Sequence, residues 1–232
     1  MAKQNLLVLG ATGGTGLAFI KEALIHASKP NLTLLVRTPS RLPQEYLDDS
    51  HITVVKGELN DRIVVDNALQ GVTAVISFLG PYMTLKATLL RDTSTPIADS
   101  LPTLFAAMRS ANITRILALS TPTGLPQPVL ETKPWSWWAA GWFIYLVVPQ
   151  GNAEMTKIGS LVSGQHDLEW TVFRVPSLTN GSAEKVVEAG YLGAKEFAVT
   201  AELTRGSLAR WVLAEVEGRE WVGRAPAVAN NL

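Results

Sequence analysis

Three glycines near the start of the sequence have the spacing of a turn that binds phosphate groups. Gly10, Gly13 and Gly16 follow the apolar run 6–9 and precede a helical pattern of apolar residues over 17–25. Glycine adopts backbone angles closed to other residues, and it lets the main chain approach a diphosphate. The free N–H groups at the beginning of the helix would then bind the phosphates. The sequence therefore predicts a dinucleotide site that includes Gly10, Thr12, Gly13, Gly14, Thr15 and Gly16.

An arginine follows the second predicted strand, at the position where NAD-specific folds carry an acidic residue that holds the ribose hydroxyls. The strand covers residues 32–36, and Ser40 and Arg41 come shortly after Arg37. Because a guanidinium suits a 2′-phosphate, we predict NADP as the cofactor, held by Arg37 with Ser40 and Arg41 as further contacts. The alternative is a solvated loop whose arginines face only water.

Alternating strand and helix patterns place these residues at one edge of a parallel sheet. Four more strands are predicted at 52–55, 74–79, 115–119 and 168–174, and the helices between them at 43–47, 61–69, 96–111 and 152–163. Such alternation indicates an α/β fold, a Rossmann-type doubly wound parallel sheet with right-handed crossovers.

The patterning becomes weaker after residue 176. We predict a single domain, 1–232, in which residues from about 177 to 232 contribute a small C-terminal cap on the substrate side. Within this part we expect a strand near 197–199, a helix over 201–216 and a last strand near 220–222.

Open parallel sheets bind their ligands at the carboxyl ends of the strands. Leu59 and Asn60, after the third strand, are therefore predicted to line the adenine. Phe78, Leu79 and Gly80, at the end of the fourth strand, are predicted to lie on the ribose and nicotinamide side. Core packing is the alternative for Leu59 and Phe78.

Composition excludes several classes of function. The net charge of the 232 residues is zero, which argues against a nucleic-acid surface; there is no cysteine, and three scattered histidines give no metal site. No signal-peptide pattern is present, so a cytoplasmic location is expected.

The uncharged segment 134–148 carries four of the seven tryptophans but is shorter than the ~20 residues of a membrane span. We interpret it as a core helix or pocket wall, with a membrane-touching or homodimer surface as the alternative.

The order of these motifs resembles the atypical short-chain dehydrogenase/reductases, the NmrA-like and biliverdin-reductase-B-like group. The resemblance covers about residues 4–217 and rests on GATGGTG at 10–16, VR at 36–37, GELND at 57–61, LST at 119–121 and the block from Ala153 to Pro176. It implies NADP binding, with Val175 and Pro176 near the nicotinamide. It leaves the reaction open, because fold and function separate.

The resemblance also indicates which side chains to consider for catalysis. In the wider superfamily a serine and a Tyr-x-x-x-Lys pair polarise and protonate a carbonyl. Ser120 stands where the family's serine belongs, with Thr121 beside it, and both are also candidates for cofactor contact. Tyr145 is the candidate proton donor, but proline rather than lysine stands four residues later, and Tyr145 is one residue out of the family's register. The alternative for Ser120 is a hydroxyl that caps the turn at the strand end.

Three functions remain open at this point. The leading one is an NADPH-dependent reductase or dehydrogenase, expected in secondary metabolism, acting on a small apolar or aromatic carbonyl or quinone without a standard Tyr-Lys relay. The second is a non-redox cyclase, isomerase or dehydratase on the same scaffold. The third is a non-catalytic, NADP-sensing regulator.

Overall fold

The computed structural model describes residues 4–80, 93–125, 149–194, 197 and 199–231. The strands in these ranges are β1 (Asn5–Leu9), β2 (Asn31–Val36), β3 (Ile52–Lys56), β4 (Ala74–Ser77), β5 (Arg115–Ser120), β6 (Glu169–Arg174), β7 (Ser177–Thr179), β8 (Val187–Gly190), β9 (Glu202–Thr204) and β10 (Ala227–Asn230). The helices are α1 (Gly14–Ile25), α2 (Gln44–Leu47), α3 (Arg62–Ala68), α4 (Pro96–Ser110), α5 (Pro149–Ser163) and α6 (Arg205–Gly218), with a 3₁₀ turn at Pro39–Arg41.

Within the described ranges, one sheet has eight strands in the order β3-β2-β1-β4-β5-β6-β10-β8. Every neighbouring pair from β3 to β10 is parallel, and only β8 pairs antiparallel, with β10. β2 and β3 lie on one side of β1, and the chain then crosses to form β4 on the other side of β1. The strand order therefore reverses between β1 and β4. This arrangement confirms the predicted doubly wound, Rossmann-type fold.

The central strands form because their residues are apolar on both faces. In β1 the residues from Leu6 to Leu9 are buried, and all four residues of β4 are buried as well. Helices cover both faces of a parallel sheet, so such strands are continuous apolar runs rather than alternating ones. β3 lies at the edge and is only partly covered.

The helices α3 and α4 begin where they were predicted, while α5 begins three residues earlier than predicted. Asp61 caps α3 as predicted, because its Oδ1 accepts hydrogen bonds from the N–H groups of Ile63 at 3.0 Å and Val64 at 3.3 Å. α4 begins at Pro96 and continues through Pro102 to Ser110. α5 begins at Pro149 instead of residue 152.

The larger differences lie beyond residue 176. The predicted strand near 220–222 is wrong, because these residues form a turn and the last strand is β10 at 227–230. The predicted helix start at 201 is also wrong, since 202–204 form β9 and Thr204 caps α6, which begins at Arg205. Near 197–199, Val199 forms one isolated bridge with Asn231.

Strands β8 and β10 extend the large sheet, while β7 and β9 pair with each other in a separate two-stranded sheet. Helix α6 packs beside α1, and the substrate-side cap stays a prediction. The tryptophan-rich segment 134–148 lies outside the described residues. Of the helices that the structure describes, none is both long and apolar enough to cross a membrane.

Candidate functional site

The glycine turn joins β1 to α1 and packs against the end of β4. Gly10 has a φ of +79°, in the left-handed region that favours glycine. A Cβ at this position would lie 2.9 Å from the carbonyl carbon and oxygen of Phe78, and a Cβ on Gly16 would collide with the carbonyl oxygen of Gly10. The N–H of Gly13 donates to the Gly10 oxygen at 3.0 Å. The turn is therefore closed tightly, and only glycine fits at positions 10 and 16.

The first turn of α1 is left open to an anion. Gly13 is its N-cap residue, with no side-chain hydrogen bond to the helix, and the first turn carries no acidic residue. In α3 and α6, by contrast, Asp61 and Thr204 cap the first turn. The free N–H groups and the positive end of the helix dipole bind phosphate well. A glycine cradle below an uncapped helix fits the diphosphate of a dinucleotide.

The residues predicted for the adenosine side lie at the same edge of the sheet. Arg37 directly follows β2 and is exposed, and Ser40 and Arg41 are exposed in the 3₁₀ turn that comes next. Leu59 is half-buried against the core and Asn60 is exposed, both in the loop after β3. The structure therefore brings the predicted 2′-phosphate and adenine residues to one side, and their roles stay predictions.

Phe78 has its side chain in the core rather than in the open site. Its ring centroid lies 5.2 Å from that of Phe19 and 6.1 Å from that of Phe173. The Phe78 ring therefore packs in the core, as the alternative interpretation expected, and only the backbone of Phe78 contacts the glycine turn. Leu79 and Gly80 are half-buried at the end of β4, and the Met155 Cε lies 3.5 Å from where a Cβ on Gly80 would be. Helix α5 thus reaches the edge of the predicted nicotinamide side.

Ser120 ends β5 with a side chain that is fully buried. Its Oγ donates to the carbonyl oxygen of Met155 at 3.1 Å, and a Cβ on Gly124 would collide with this Oγ. Because the hydroxyl is enclosed against α5 and its proton is engaged, the geometry favours a structural role at the strand end. Thr121 is half-buried, with its Oγ1 3.2 Å from that of Thr123. A catalytic role for Ser120 stays a prediction, and Tyr145 lies outside the described residues.

The segment after β6 runs beside Ser120. The N–H of Val175 donates to the Ser120 oxygen at 3.0 Å, and Pro176 is half-buried next to it. Arg174 is fully buried, and its Nε donates to the oxygen of Ala225 at 2.9 Å. This places Val175 and Pro176 at the carboxyl edge of the sheet, where the family resemblance predicts the nicotinamide.

A buried carboxylate joins α5 to α4. Glu154 is fully buried, and its Oε1 accepts from the N–H of Ala98, in the first turn of α4, at 2.6 Å. Burial raises the pKa of the Glu154 carboxyl, and its Oε2 has no hydrogen-bond partner among the described residues. Glu154 therefore acts as a cap that one helix supplies to another, close to the residues that border Gly80.

Sequence reasoning missed Arg205, the first residue of α6. A Cβ on Gly14 would lie 3.2 Å from the Arg205 Nε, so the arginine side chain rests on the first turn of α1. The signal in the sequence is Gly14 itself, which falls outside the three-residue spacing of Gly10, Gly13 and Gly16. An additional glycine at such a turn indicates that another group approaches closely.

Solved structures of low sequence identity share this fold. A short-chain dehydrogenase/reductase of the wide type from Veillonella parvula, in complex with NADP, is 15% identical, with a TM-score of 0.75 over 98% of this chain and 94% of that one. An oxidoreductase from Lactococcus lactis is 16% identical, with a TM-score of 0.72 over 98% and 91%. ChuY, an anaerobillin reductase from Escherichia coli O157:H7, is 16% identical, with a TM-score of 0.69 over 98% and 97%. At these identities the similarity shows the fold.

The match to a sequence family covers most of the chain. Residues 10–218, from the first glycine of the turn to the last residue of α6, match a family described as NAD(P)H-binding. This match confirms the sequence resemblance, and it confirms the predicted cofactor as a nicotinamide dinucleotide without distinguishing NADP from NAD. The chain belongs to the NAD(P)H-binding family.

Proposed function

We propose that this protein is an NADP(H)-dependent oxidoreductase that acts on a small apolar or aromatic carbonyl compound or quinone. The observation that carries the proposal is the uncapped first turn of α1 above the glycine cradle, with the exposed Arg37 at the end of the adjacent strand. The α1 amides would bind the diphosphate, and Arg37 the 2′-phosphate that distinguishes NADP from NAD.

The nicotinamide, when bound, supplies or accepts the hydride. For reduction, the carbonyl carbon of the substrate gains the hydride and its oxygen gains a proton. Because the Ser120 hydroxyl donates to Met155, we propose that the proton comes from water rather than from this serine. The chain then contributes positioning, through the α1 turn, the end of β4 and the Met155 side chain beside Gly80.

The reaction is tested by mixing purified protein and NADPH with a panel of quinones and aromatic ketones and following the loss of NADPH absorbance. We expect turnover with at least one member of the panel. Tight binding of NADPH without turnover of any compound would contradict the redox proposal. That outcome would favour a non-redox isomerase or cyclase, or an NADP-sensing regulator. The observation that favours these alternatives is the Ser120 hydroxyl, which donates to Met155 and is therefore not free to protonate a carbonyl.

The cofactor preference is tested separately with Arg37→Asp. We expect this variant to weaken NADPH binding about 100-fold and NADH binding by less than about 3-fold, because it replaces a charge-assisted contact to the 2′-phosphate by a like charge. Lys21→Asp, an equal charge change on the exposed side of α1, serves as the matched control and should change neither. An equal loss for NADPH and NADH in Arg37→Asp would refute the assignment of the 2′-phosphate to Arg37.

A further inference from the structure

Arg205 lies against the first turn of α1, although the two are far apart in the chain. A Cβ on Gly14 would approach the Arg205 Nε to 3.2 Å, which is tighter than ordinary van der Waals contact, and would lie 3.6 Å from its Cδ. Gly14 is itself exposed and is the first residue of α1. Glycine at this position therefore makes room for the arginine side chain beside the open helix terminus.

Helices α1 and α6 run side by side in the same direction. Arg210 Nε lies 2.7 Å from Glu22 Oε2, and further along both helices, His26 Nδ1, at the end of α1, lies 4.0 Å from Glu217 Oε1. With Arg205 against Gly14, these pairs follow the same order along both helices. The amino termini of the two helices thus lie together at the carboxyl edge of the sheet, and Arg205 adds a full positive charge there.

The charge of Arg205 has no carboxylate partner among the described residues. Its Nη1 donates to the neutral Asn180 Oδ1 at 2.8 Å, and its Nε is buried with no hydrogen-bond partner in the described ranges. Several other arginines in these ranges do pair with carboxylates; they are Arg62, Arg109, Arg115, Arg210 and Arg219. A guanidinium has five N–H donors, and the Nη donors of Arg205 that Asn180 does not use are suited to an anion.

Asn180 belongs to a loop that the beginning of α6 holds in place. The Thr204 Oγ1 donates to the Ser182 oxygen at 2.8 Å, and a Cβ on Gly206 would lie 2.6 Å from the Ala183 Cβ. This close packing fixes the loop, and Asn180 in turn orients the guanidinium. Asn180 is thus a positioning residue for Arg205.

We propose that Arg205 binds the cofactor's diphosphate together with the N–H groups of the first turn of α1. The inference rests on the proposed function, in which this turn holds a nicotinamide dinucleotide. In this proposal α6 contributes a residue directly to cofactor binding, and Gly14 is required because a larger side chain would displace the Arg205 guanidinium.

The test uses isothermal titration of the full chain with three ligands: NADPH, ADP and adenosine 2′-phosphate. ADP carries the diphosphate without the 2′-phosphate, and adenosine 2′-phosphate carries the 2′-phosphate without the diphosphate. We expect Arg205→Gln to weaken NADPH and ADP by the same factor, about 10-fold or more, the loss of one charge-assisted hydrogen bond. Binding of adenosine 2′-phosphate should stay within about 2-fold. The control Arg210→Gln, on the same helix but paired with Glu22, should bind all three as the wild type does.

A second variant keeps the arginine and moves it. Gly14→Ala places a methyl group against the guanidinium, so we expect weaker ADP binding, and no further loss when it is added to Arg205→Gln. Wild-type affinity for NADPH and ADP in Arg205→Gln would overturn the inference and leave the proposed function standing. Failure of the wild type to bind NADPH would overturn the proposed function, and a full additional loss in the double variant would contradict the role of Gly14.

Discussion

Replacing Ser120 by alanine will separate the catalytic from the structural role of its hydroxyl. The Oγ is fully buried, and its hydrogen bond to the Met155 oxygen is of ordinary length at 3.1 Å. A neutral hydrogen bond of this kind contributes about 1 kcal/mol net to the free energy of unfolding. Alanine leaves only the space of one oxygen atom, enclosed by Gly124 and Gly159, so the cavity adds little to this cost.

The catalytic role predicts a much larger effect on rate. A general acid or a group that polarises the carbonyl accelerates such a step by about 10² to 10⁴-fold. Because the Ser120 proton is already donated to α5, we expect kcat/KM of Ser120→Ala to fall by less than about 5-fold. The two roles therefore differ by at least an order of magnitude in rate.

The measurement combines urea unfolding, for the free energy, with steady-state kinetics on a substrate from the carbonyl and quinone panel. Ser163→Ala is the matched control, since this half-buried serine lies on α5, the helix to which Ser120 donates, and its own hydroxyl donates to the Ser160 oxygen at 3.3 Å. The control should change unfolding by less than about 0.5 kcal/mol. A 100-fold loss of kcat in Ser120→Ala with unchanged unfolding would refute the structural assignment.

Three further predictions concern stability. Burial raises the pKa of the Glu154 carboxyl, so the stability that the protonated side chain contributes is present below the unfolded-state pKa and is lost as pH rises through the folded-state pKa. Relative to wild type, Glu154→Gln should therefore gain stability as pH rises above the ordinary carboxyl value of 4.5. A free-energy difference that stays constant across urea titrations at several pH values would contradict this. Gly10→Ala forces a Cβ against the Phe78 carbonyl at a positive φ, so it should lower the free energy of unfolding by about 2 kcal/mol and abolish NADPH binding. Unchanged NADPH binding in isothermal titration would contradict the closeness of this turn. Arg115→Met removes the charged partner of the buried Glu215 carboxylate and should lower the free energy of unfolding by about 3–5 kcal/mol. Because Glu215 also accepts from the N–H groups of Glu220 and Trp221, adding Glu215→Gln, which removes the charge and keeps an acceptor, should recover part of this loss. A double variant as unstable as the single one would refute the pairing.

The sequence predicted the strands of the sheet well where apolar runs are long and end at a glycine or a polar residue. The strands predicted at 6–9, 32–36 and 74–79 are of this kind, because burial on both faces leaves a continuous apolar signal; the last of them ends at Ser77 in the structure. The predicted strand at 220–222 is wrong although Trp221 and Val222 have high strand propensity. These residues lie in a turn that includes Gly223, whose φ is +70°. Strand β10 consists of small residues and forms through its pairing with β8, which no local pattern reveals.

The candidate site was predictable on the side of the glycine turn and less so elsewhere. The spacing of the glycines determines the turn locally, so the turn and the predicted diphosphate site follow from residues 6–16 alone. The direction of the Ser120 side chain depends on how closely Gly124 and Gly159 let α5 approach. Arg205 reaches the turn only through the packing of α6 on α1, and side-chain contacts between distant helices cannot be read from local spacing.

The pairing of α1 with α6 also constrains the order in which the protein can acquire its site during synthesis. Glu22 contacts Arg210, which lies 188 residues later in the chain. Contacts of such long sequence separation form late, because the entropy of closing the loop must be lost before the contact is gained. A nascent chain will therefore expose one flank of α1, beside the glycine turn, until α6 has been synthesised. The surroundings of the glycine turn are thus completed only after α6 has packed onto α1.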